Sequence, residues 1–207
     1  MAGAVAPETL DALRTLGVAT VYEAGGAIGA MDPAIHPLWR GARVCGPAFT
    51  VNCPPGDNLA LHRCIEFVQP GDVLVVQNGG LSGGYWGGIL TACAVAHGVI
   101  GLVLDGGCRD TEELEEIRFP VFLRGAGVFR TYKHEPGQLN VPIVVGGILV
   151  NPGDVILGDG DGVMSIPRDR VEEFRAAGQK RADAEAGYME RIRNGEYTMD
   201  IYGFPRS

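Results

Sequence analysis

Apolar residues recur about one helical turn apart near the start of the chain. Residues 7–16 begin with proline and keep this spacing up to Gly17, which predicts a helix, and a second short helix is expected over residues 18–24. Glycine and proline are frequent over residues 25–40, so this segment is expected to wrap the surface. The N-terminal part is therefore predicted to be helical before the first strand begins.

Short apolar runs then alternate with helical segments. The predicted strands are residues 44–53, 73–76 and 99–104, and the predicted helices are 57–67, 86–97 and 111–117. The helix at 86–97 has small and apolar residues on every face, which is typical of a buried helix, and Gly98 suits its C-terminal cap. After the third strand, Asp105-Gly106-Gly107 is expected to turn the chain into Arg109-Asp110. This order resembles βαβ units, in which sites lie at the carboxyl ends of parallel strands.

The pattern changes after residue 121. Short β-like runs are separated by Pro-Gly and Asp-Gly turns, at residues 141–145, 147–150, 155–157 and 163–166. Residues 168–193 predict a long charged helix that faces solvent or a partner and ends at Asn194-Gly195. The chain is thus expected to be an α/β protein with a β-rich second half.

Composition narrows the class of protein. The 207 residues, 46% hydrophobic and 20% charged, can form one core, so a single domain over residues 1–207 is predicted. Seventeen basic and twenty-five acidic residues give a formal charge of −8, which argues against nucleic acid and anionic membranes as partners. No apolar run has the roughly 18 residues of a membrane span, and residues 1–9 show no secretory signal. Five cysteines with no paired spacing fit a reduced, cytoplasmic environment.

One spacing carries most of the chemical information: Gly88, twenty residues, Arg109-Asp110, two residues, and Glu113. Gly88 ends a glycine-rich turn that runs from Gly79 to a predicted helix start. Such a turn is most often only a tight turn, and it matches neither the dinucleotide fingerprint nor a Walker loop. Its position nevertheless leaves the amides of Gly88, Ile89 and Leu90 without internal acceptors, where they could bind an anion.

The Arg109-Asp110 pair has two interpretations. Asp110 could simply cap the helix that follows, with Arg109 on the surface. Alternatively, Arg109 binds a substrate carboxylate and Asp110 holds a divalent cation. The four histidines and five cysteines show no zinc spacing, so oxygen ligands remain, and Mg²⁺ or Mn²⁺ needs only a sparse set such as Asp110.

Three other features are expected to be structural on local pattern alone. Asp159-Gly160-Asp161-Gly162 lacks the spacing of an EF-hand and predicts a β-turn. Cys108, next to Arg109, is interpreted as an inert small residue rather than a reactive thiolate. Lys133 and Glu185 have the pattern of ordinary surface residues.

Several stretches together resemble a known family, the class II pyruvate aldolases typified by 4-hydroxy-4-methyl-2-oxoglutarate (also 4-carboxy-4-hydroxy-2-oxoadipate) aldolase, whose sister group is the ribonuclease E regulator RraA. The resemblance covers about residues 41–203, and its specific part is the Gly, Arg-Asp, Glu spacing. The matching stretches are 46–51, 70–76, 86–88, 105–110, 152–154 and 159–163.

The resemblance implies a three-layer β/β/α swivelling-domain fold, RraA-like, that assembles as homotrimers or hexamers. The helices at about 7–24 and 168–193 would lie at subunit contacts. It also implies that Asp110 anchors the cation and that Arg109, with the amides of Ile89 and Leu90, holds the pyruvyl group. Lys133 corresponds to a pocket lysine, and Glu185 to a glutamate that reaches a neighbouring subunit's metal.

The function that follows is a divalent-metal lyase, with Mg²⁺ or Mn²⁺ as cofactor. Its substrate would be a 4-hydroxy-2-oxo acid, cleaved by retro-aldol to pyruvate, and it would decarboxylate oxaloacetate through the same enolate. The regulator branch lacks the acid after the arginine, so Asp110 indicates an enzyme. The alternative is a non-enzymatic regulator that binds a ribonuclease. A methyltransferase is disfavoured because no adenosylmethionine loop is evident.

Overall fold

The computed structural model describes residues 5–206, so the predictions made for residues 1–4 and for Ser207 lie outside the described part. The helices are α1 (Pro7–Leu16), α2 (Val18–Ala24), α3 (Leu59–Cys64), α4 (Gly88–Ala96), α5 (Thr111–Ile117), α6 (Val171–Arg193) and α7 (Thr198–Ile201). The strands are β1 (His36–Pro37), β2 (Val44–Asn52), β3 (Val73–Gln77), β4 (Gly101–Cys108), β5 (Val121–Ala126), β6 (Gln138–Leu139), β7 (Ile143–Val145), β8 (Ile148–Val150), β9 (Val155–Asp159) and β10 (Gly162–Ile166). A short 3₁₀ turn, Arg168–Arg170, precedes α6.

The centre of the molecule is a parallel sheet. Strands β2, β3, β4 and β5 are adjacent and parallel, and α3, α4 and α5 form the crossovers between them. The antiparallel hairpin of β9 and β10 extends the sheet beyond β2, and β1 pairs with the opposite edge at β5. The four parallel strands end at one edge of the sheet, as the βαβ pattern predicts.

The sheet is covered on both faces, so the fold has three layers. Leu74, Val76, Leu102 and Leu104 face the helices α3, α4 and α5, where they join the buried side chains of Leu61 and Leu90. The residues between them in sequence face the other way and pack against the ribbon of β7 and β8: they are Val73, Val75 and Val103. Continuous apolar runs result because a strand buried on both faces needs apolar side chains at every position. The predicted α/β fold with β/β/α layers is confirmed.

The N-terminal and C-terminal helices pack on each other beside the β9–β10 hairpin. Leu13 of α1, Val21 of α2 and Phe174 of α6 are fully buried together against Leu157 and Met164. Val18 N–H at the start of α2 donates to Asp159 Oδ2 at 2.9 Å. The predicted turn at residues 159–162 is therefore the β9–β10 connection, and its first aspartate also binds the start of α2.

Two local predictions were wrong. Asp105-Gly106-Gly107 continues β4 instead of turning, with a register irregularity between Leu104 and Gly107. Helix α4 is not buried on every face, since Ile89 is 82% exposed and Val95 is 48% exposed. The 25–40 segment runs mostly over the surface, as predicted, although it buries Met31 and Ile35 and contributes β1.

Among residues 5–206, no helix is long and apolar enough to cross a membrane.

Candidate active site

A cavity of about 570 Å³ lies at the edge of the sheet where the parallel strands end. It is bounded by the end of β4, by the first turn of α4, by α3 and by the loop that follows β5. The lining residues are Asn58, His62, Gly84, Tyr85, Trp86, Gly87, Ile89, Leu90, Arg109, Asp110, Arg130, Thr131, Tyr132, Lys133 and His134. Both halves of the spacing motif, the helix start and the Arg-Asp pair, thus contribute to one wall.

Asp110 is aimed at the start of α4. Its backbone is left-handed, with φ +57°, and its side chain makes no capping hydrogen bond to α5. Instead, Oδ2 accepts a hydrogen bond from the Gly88 amide at 3.0 Å, so the prediction that this amide has no acceptor within the chain is wrong. The interpretation of Asp110 as a helix cap is therefore wrong, and a non-glycine residue in this conformation is a strained arrangement that often marks a functional site.

Arg109 and Asp110 form a partly exposed ion pair. Arg109 Nε lies 3.6 Å from Asp110 Oδ2, and the side chains are 55% and 39% exposed. The Arg109 amide donates to Trp86 O at 3.0 Å, which joins the end of β4 to the segment before α4. The guanidinium keeps free donors towards the cavity, because the aspartate occupies only one side of it.

Two glycines allow the carboxylates to approach α4. A Cβ at Gly87 would lie 2.4 Å from Asp110 Oδ2, and a Cβ at Gly88 would lie 2.3 Å from Glu113 Oε2. The backbone of Gly87 is extended, with φ −172°, so glycine is needed there for space and not for conformation. The Gly88, Arg109-Asp110, Glu113 spacing therefore records a close approach between α4 and the start of α5.

The first turn of α4 offers amide donors to the cavity. Thr91 N–H makes the first intrahelical bond, to Gly87 O at 3.0 Å, and the amides of Ile89 and Leu90 have no acceptor among the described residues. The Ile89 side chain points outward, whereas that of Leu90 is buried. Free amides at a helix start favour an anion, so this turn can bind a carboxylate or enolate oxygen.

A buried hydrogen-bond chain fixes that turn. Trp86 Nε1 donates to Thr91 Oγ1 at 2.7 Å, and Thr91 Oγ1 donates to Gly87 O at 3.1 Å. Both side chains are at most 1% exposed, and the indole stacks near Phe119 with ring centroids 6.4 Å apart. Sequence reasoning missed Thr91, although a threonine three residues after a glycine-rich helix start is a recognisable back-bonding position.

The opposite wall is the segment from Phe129 to Glu135. Lys133 lies in it and lines the cavity, together with Arg130, which the sequence did not single out. His62 of α3 faces the same space; burial, followed by the nearby charge of Lys133, lowers the pKa of His62 below its usual range. The imidazole is therefore neutral at neutral pH.

Glu185 is not brought to this cavity. It lies on α6, where its Oε1 is 2.8 Å from Arg181 Nε, and it does not line the cavity of its own chain. Its predicted role at a neighbouring subunit's site stays a prediction.

The donors present fit a hydrated hard cation. No group of three or more His, Cys, Asp or Glu side chains that could hold a metal occurs within residues 5–206. Asp110 offers one carboxylate oxygen that takes no hydrogen bond, since Gly88 occupies only the other. Magnesium keeps several waters and needs only one or two protein carboxylates, so these residues fit it.

Cys108, beside Arg109, is fully buried at the end of β4, and burial raises the pKa of its thiol to about 12. A protonated buried thiol is unreactive, which agrees with its interpretation as an inert residue.

Comparison with known proteins places these features in a family context. A family model described as RraA-like, Aldolase/RraA, matches residues 9–165. A putative 4-hydroxy-4-methyl-2-oxoglutarate aldolase from Halalkalibacterium halodurans is 36% identical, with 84% of this chain and 83% of the relative covered. A 4-hydroxy-4-methyl-2-oxoglutarate aldolase from Thermus thermophilus is 33% identical, with 74% of this chain and 92% of the relative covered.

A solved structure from Streptomyces coelicolor, RraAS2, described as an unusual member of the RNase ES inhibitor RraA family, is similar with a TM-score of 0.79. It is 29% identical, and the match covers 90% of this chain and 98% of that one. The relatives thus carry both an aldolase name and a ribonuclease-inhibitor name.

Proposed function

The chain belongs to the RraA-like Aldolase/RraA family, and we propose that it is a divalent-metal-dependent lyase that cleaves 4-hydroxy-2-oxo acids to pyruvate. The observation that carries the proposal is the convergence of Arg109, Asp110 and the free amides of α4 on one cavity wall. Aldolase names among the relatives support a lyase.

The bond chemistry assigns a role to each group. Cleavage breaks the bond between C3 and C4, the 4-hydroxyl loses its proton to become a carbonyl, and the electron pair forms the pyruvate enolate, which takes a proton at C3. Arg109 and the amides of Ile89 and Leu90 would bind the pyruvyl carboxylate and the oxygen on which negative charge develops. Because the helix amides are fixed in place before the substrate binds, they would stabilise the charge without reorganisation.

Asp110 would hold the cation, with Mg²⁺ the first choice and Mn²⁺ the second. The cation would supply Lewis-acid polarisation of the 2-oxo group. Oxaloacetate lacks the 4-hydroxyl but would lose carbon dioxide to give the same enolate, so we include oxaloacetate decarboxylation in the proposal.

We further propose a homotrimer or hexamer as the working form. Helix α4 exposes the apolar side chains of Ile89 and Val95, and a second subunit that covered them would remove this apolar surface from water. Light scattering on the purified protein measures the subunit number directly.

The test couples pyruvate release to lactate dehydrogenase, with a 4-hydroxy-2-oxo acid or oxaloacetate as substrate, in magnesium or in EDTA. Wild type should require the metal, Asp110→Ala should lose turnover, and Arg109→Ala should lose both rate and substrate affinity. Arg118→Ala is a control at the end of α5, because Arg118 lies over Trp39 outside the cavity. Activity unchanged in EDTA would overturn the metal mechanism.

A second candidate is a ribonuclease regulator, favoured by the likeness to the Streptomyces coelicolor structure. It predicts nuclease inhibition that survives Asp110→Ala, with no pyruvate released by wild type.

A further inference from the structure

The ring of His62 lies in the wall of the cavity with both nitrogens free. His62 belongs to α3, and its side chain is exposed and lines the cavity. Within residues 5–206, neither ring nitrogen of His62 makes a hydrogen bond. By contrast, Nδ1 of His36 and Nδ1 of His97 each bond to a backbone carbonyl oxygen, at 3.0 and 2.8 Å. A ring that holds no part of the fold in place is available to a bound molecule.

The position of this ring is fixed by the start of α3. Asn58, which precedes the helix, is buried, and its Nδ2 donates to Tyr85 O at 2.9 Å. Tyr85 comes directly before Trp86, whose carbonyl accepts the Arg109 amide at 3.0 Å. The start of α3 is thus tied to the near wall, which is formed by the Arg-Asp pair and the first turn of α4. Residues four apart lie on one face of a helix, about 5–6 Å between Cβ atoms, so His62 lines the cavity one turn beyond this attachment.

Other groups around the cavity are poor proton acceptors. Arg109, Arg130 and Lys133 in their charged forms are hydrogen-bond donors only. Tyr85 keeps its proton, because burial raises the pKa of its hydroxyl, which already accepts a backbone hydrogen bond at 2.6 Å. Asp110 would be occupied by the cation. A neutral imidazole, in contrast, has one nitrogen with a free lone pair.

The charged and titratable groups that share the cavity with His62 come from its two facing walls. Burial, and then the charge of Lys133, lower the pKa of His62, so the ring is neutral at neutral pH and gains a proton only as the pH falls through that lowered pKa. His134 also lines the cavity, but its ring stacks on Tyr132 with centroids 5.6 Å apart. The groups are Arg109 and Asp110 on the near wall, and Arg130, Tyr132, Lys133 and His134 on the opposite wall.

We infer that His62 is the general base that takes the 4-hydroxyl proton during cleavage. The inference rests on the proposed function, which leaves that base unassigned. As the O–H bond of the 4-hydroxyl breaks, an N–H bond forms on the free ring nitrogen, the oxygen electron pair makes the C4 carbonyl, and the C3–C4 electron pair becomes the enolate. The imidazolium then gives its proton to water, and the enolate takes a proton from water at C3.

Oxaloacetate separates this role from the binding of the substrate. Its carbon–carbon bond breaks with release of carbon dioxide from a carboxylate that is already ionised, so no hydroxyl proton has to be removed. 4-Hydroxy-2-oxoglutarate has the same two carboxylates and needs the base. His62→Gln should therefore lower kcat/KM for the hydroxy acid at least about 100-fold, mostly in kcat, and change kcat/KM for oxaloacetate less than about threefold, because general base catalysis contributes about 10²–10⁴-fold. Pyruvate release measures both, after subtraction of the spontaneous rate.

The pH dependence gives a second measurement that needs no variant. Wild-type kcat/KM for the hydroxy acid should fall below the pKa of His62, as measured by NMR on the same protein, and the oxaloacetate profile should lack this acidic limb. His36→Gln is the matched control, because the His36 ring bonds to Ala34 O outside the cavity. Its ratio of the two activities should equal that of wild type.

His62→Ala tests the chemistry of the ring itself. It leaves space for a free imidazole, and added imidazole should raise the hydroxy acid rate about tenfold or more without changing the oxaloacetate rate, whereas a merely structural role would give no such rescue.

Equal losses on both substrates in His62→Gln, or no loss on either, would overturn the assignment, and so would a selective loss that appears in His134→Gln instead. Should His62→Gln fail to fold, a wild-type profile without the acidic limb has the same consequence. If wild type cleaves the hydroxy acid but not oxaloacetate, the acidic limb and the imidazole rescue decide. Failure of wild type to release pyruvate from both substrates would instead refute the proposed function, and the role of His62 with it.

Discussion

Replacement of Gly87 by alanine should inactivate the protein without unfolding it. The new Cβ would lie 2.4 Å from Asp110 Oδ2, and ordinary van der Waals contact begins near 3.4 Å, so the carboxylate must move by about 1 Å. The backbone conformation does not oppose the substitution, because an extended residue with φ −172° accepts any side chain. The strain therefore falls on Asp110 rather than on the fold.

The size of the effect follows from what Asp110 loses. Moving Oδ2 breaks its 3.0 Å hydrogen bond from the Gly88 amide, and a bond to a charged group contributes about 1.5–3 kcal/mol, at the low end here because Asp110 is partly exposed. Misplacement of a catalytic group by about 1 Å can cost about 10²-fold in rate. We expect kcat/KM for pyruvate release to fall about 100-fold and the magnesium needed for half activation to rise, while Tm falls by only about 3–6 °C.

Gly88→Ala is the matched control one residue along. Its Cβ would meet Glu113 Oε2 at 2.3 Å, but Glu113 is exposed and its longer side chain can turn into solvent. The loss of activity should be about tenfold smaller than for Gly87→Ala. Wild-type kcat/KM and metal response in Gly87→Ala, or equal damage in both variants, would refute the assignment of Gly87 as the residue that makes room for Asp110.

Three further predictions concern the groups around the cavity. Thr91→Val removes the hydroxyl that joins Trp86 to Gly87 and should lower kcat/KM about tenfold, whereas Thr91→Ser should restore it. The control is Thr50→Val, which loses a partly buried hydrogen bond to Val141 O at 2.6 Å outside the cavity and should lower stability without changing the kinetics. Burial alone would raise the pKa of Asp57, but hydrogen bonds from the amides of His134, Leu59 and Glu135 outweigh burial and lower that pKa. Ionised Asp57 therefore stabilises the fold at pH values above 3.8, its pKa in the unfolded chain, and this contribution is lost as the pH falls through the lowered pKa of the folded protein. In thermal melts from pH 7 to pH 3, the stability gap between wild type and Asp57→Asn should narrow below pH 3.8, and a constant gap would contradict this account. Lys133→Met should raise the pKa of His62 only part of the way to its usual value, because burial is the larger cause of the lowered pKa. NMR titration of the His62 ring measures this pKa, and an unchanged value would show that the charge of Lys133 does not act on His62.

The strands were predictable where burial on both faces leaves a continuous apolar run, as at residues 73–76. The structure of the Asp105-Gly106-Gly107 segment was not predictable, because its glycines make room for residues from another part of the chain. A Cβ at Gly106 would lie 2.1 Å from Asn78 Nδ2, and one at Gly107 would lie 2.9 Å from Gly83 O. A glycine that makes room for a neighbouring segment has the same local sequence as a glycine that makes a turn, so the pattern alone predicted the wrong structure.

Some residues of the candidate site could likewise be predicted from the sequence and others could not. Arg109 and Asp110 were predictable because their spacing from Gly88 records the contact between α4 and α5, and the structure brings them and Lys133 to one cavity. Asn58 and Arg130 were missed, since the first has the pattern of a helix cap and the second of a surface arginine. Glu185 lies away from the cavity in a single chain, so neither the sequence nor one subunit shows what it contacts in an assembly.

The two walls of the cavity come from independent parts of the chain, and this arrangement separates the chemistry from the choice of substrate. The near wall is built by β4 and the first turns of α4 and α5, where glycines and buried hydrogen bonds leave little freedom to change. The far wall is a loop held by backbone hydrogen bonds to residues 56–58, which any side chain at position 130 would preserve. Substitutions on the far wall should therefore alter the remote part of the substrate that is accepted while the bond that breaks stays the same.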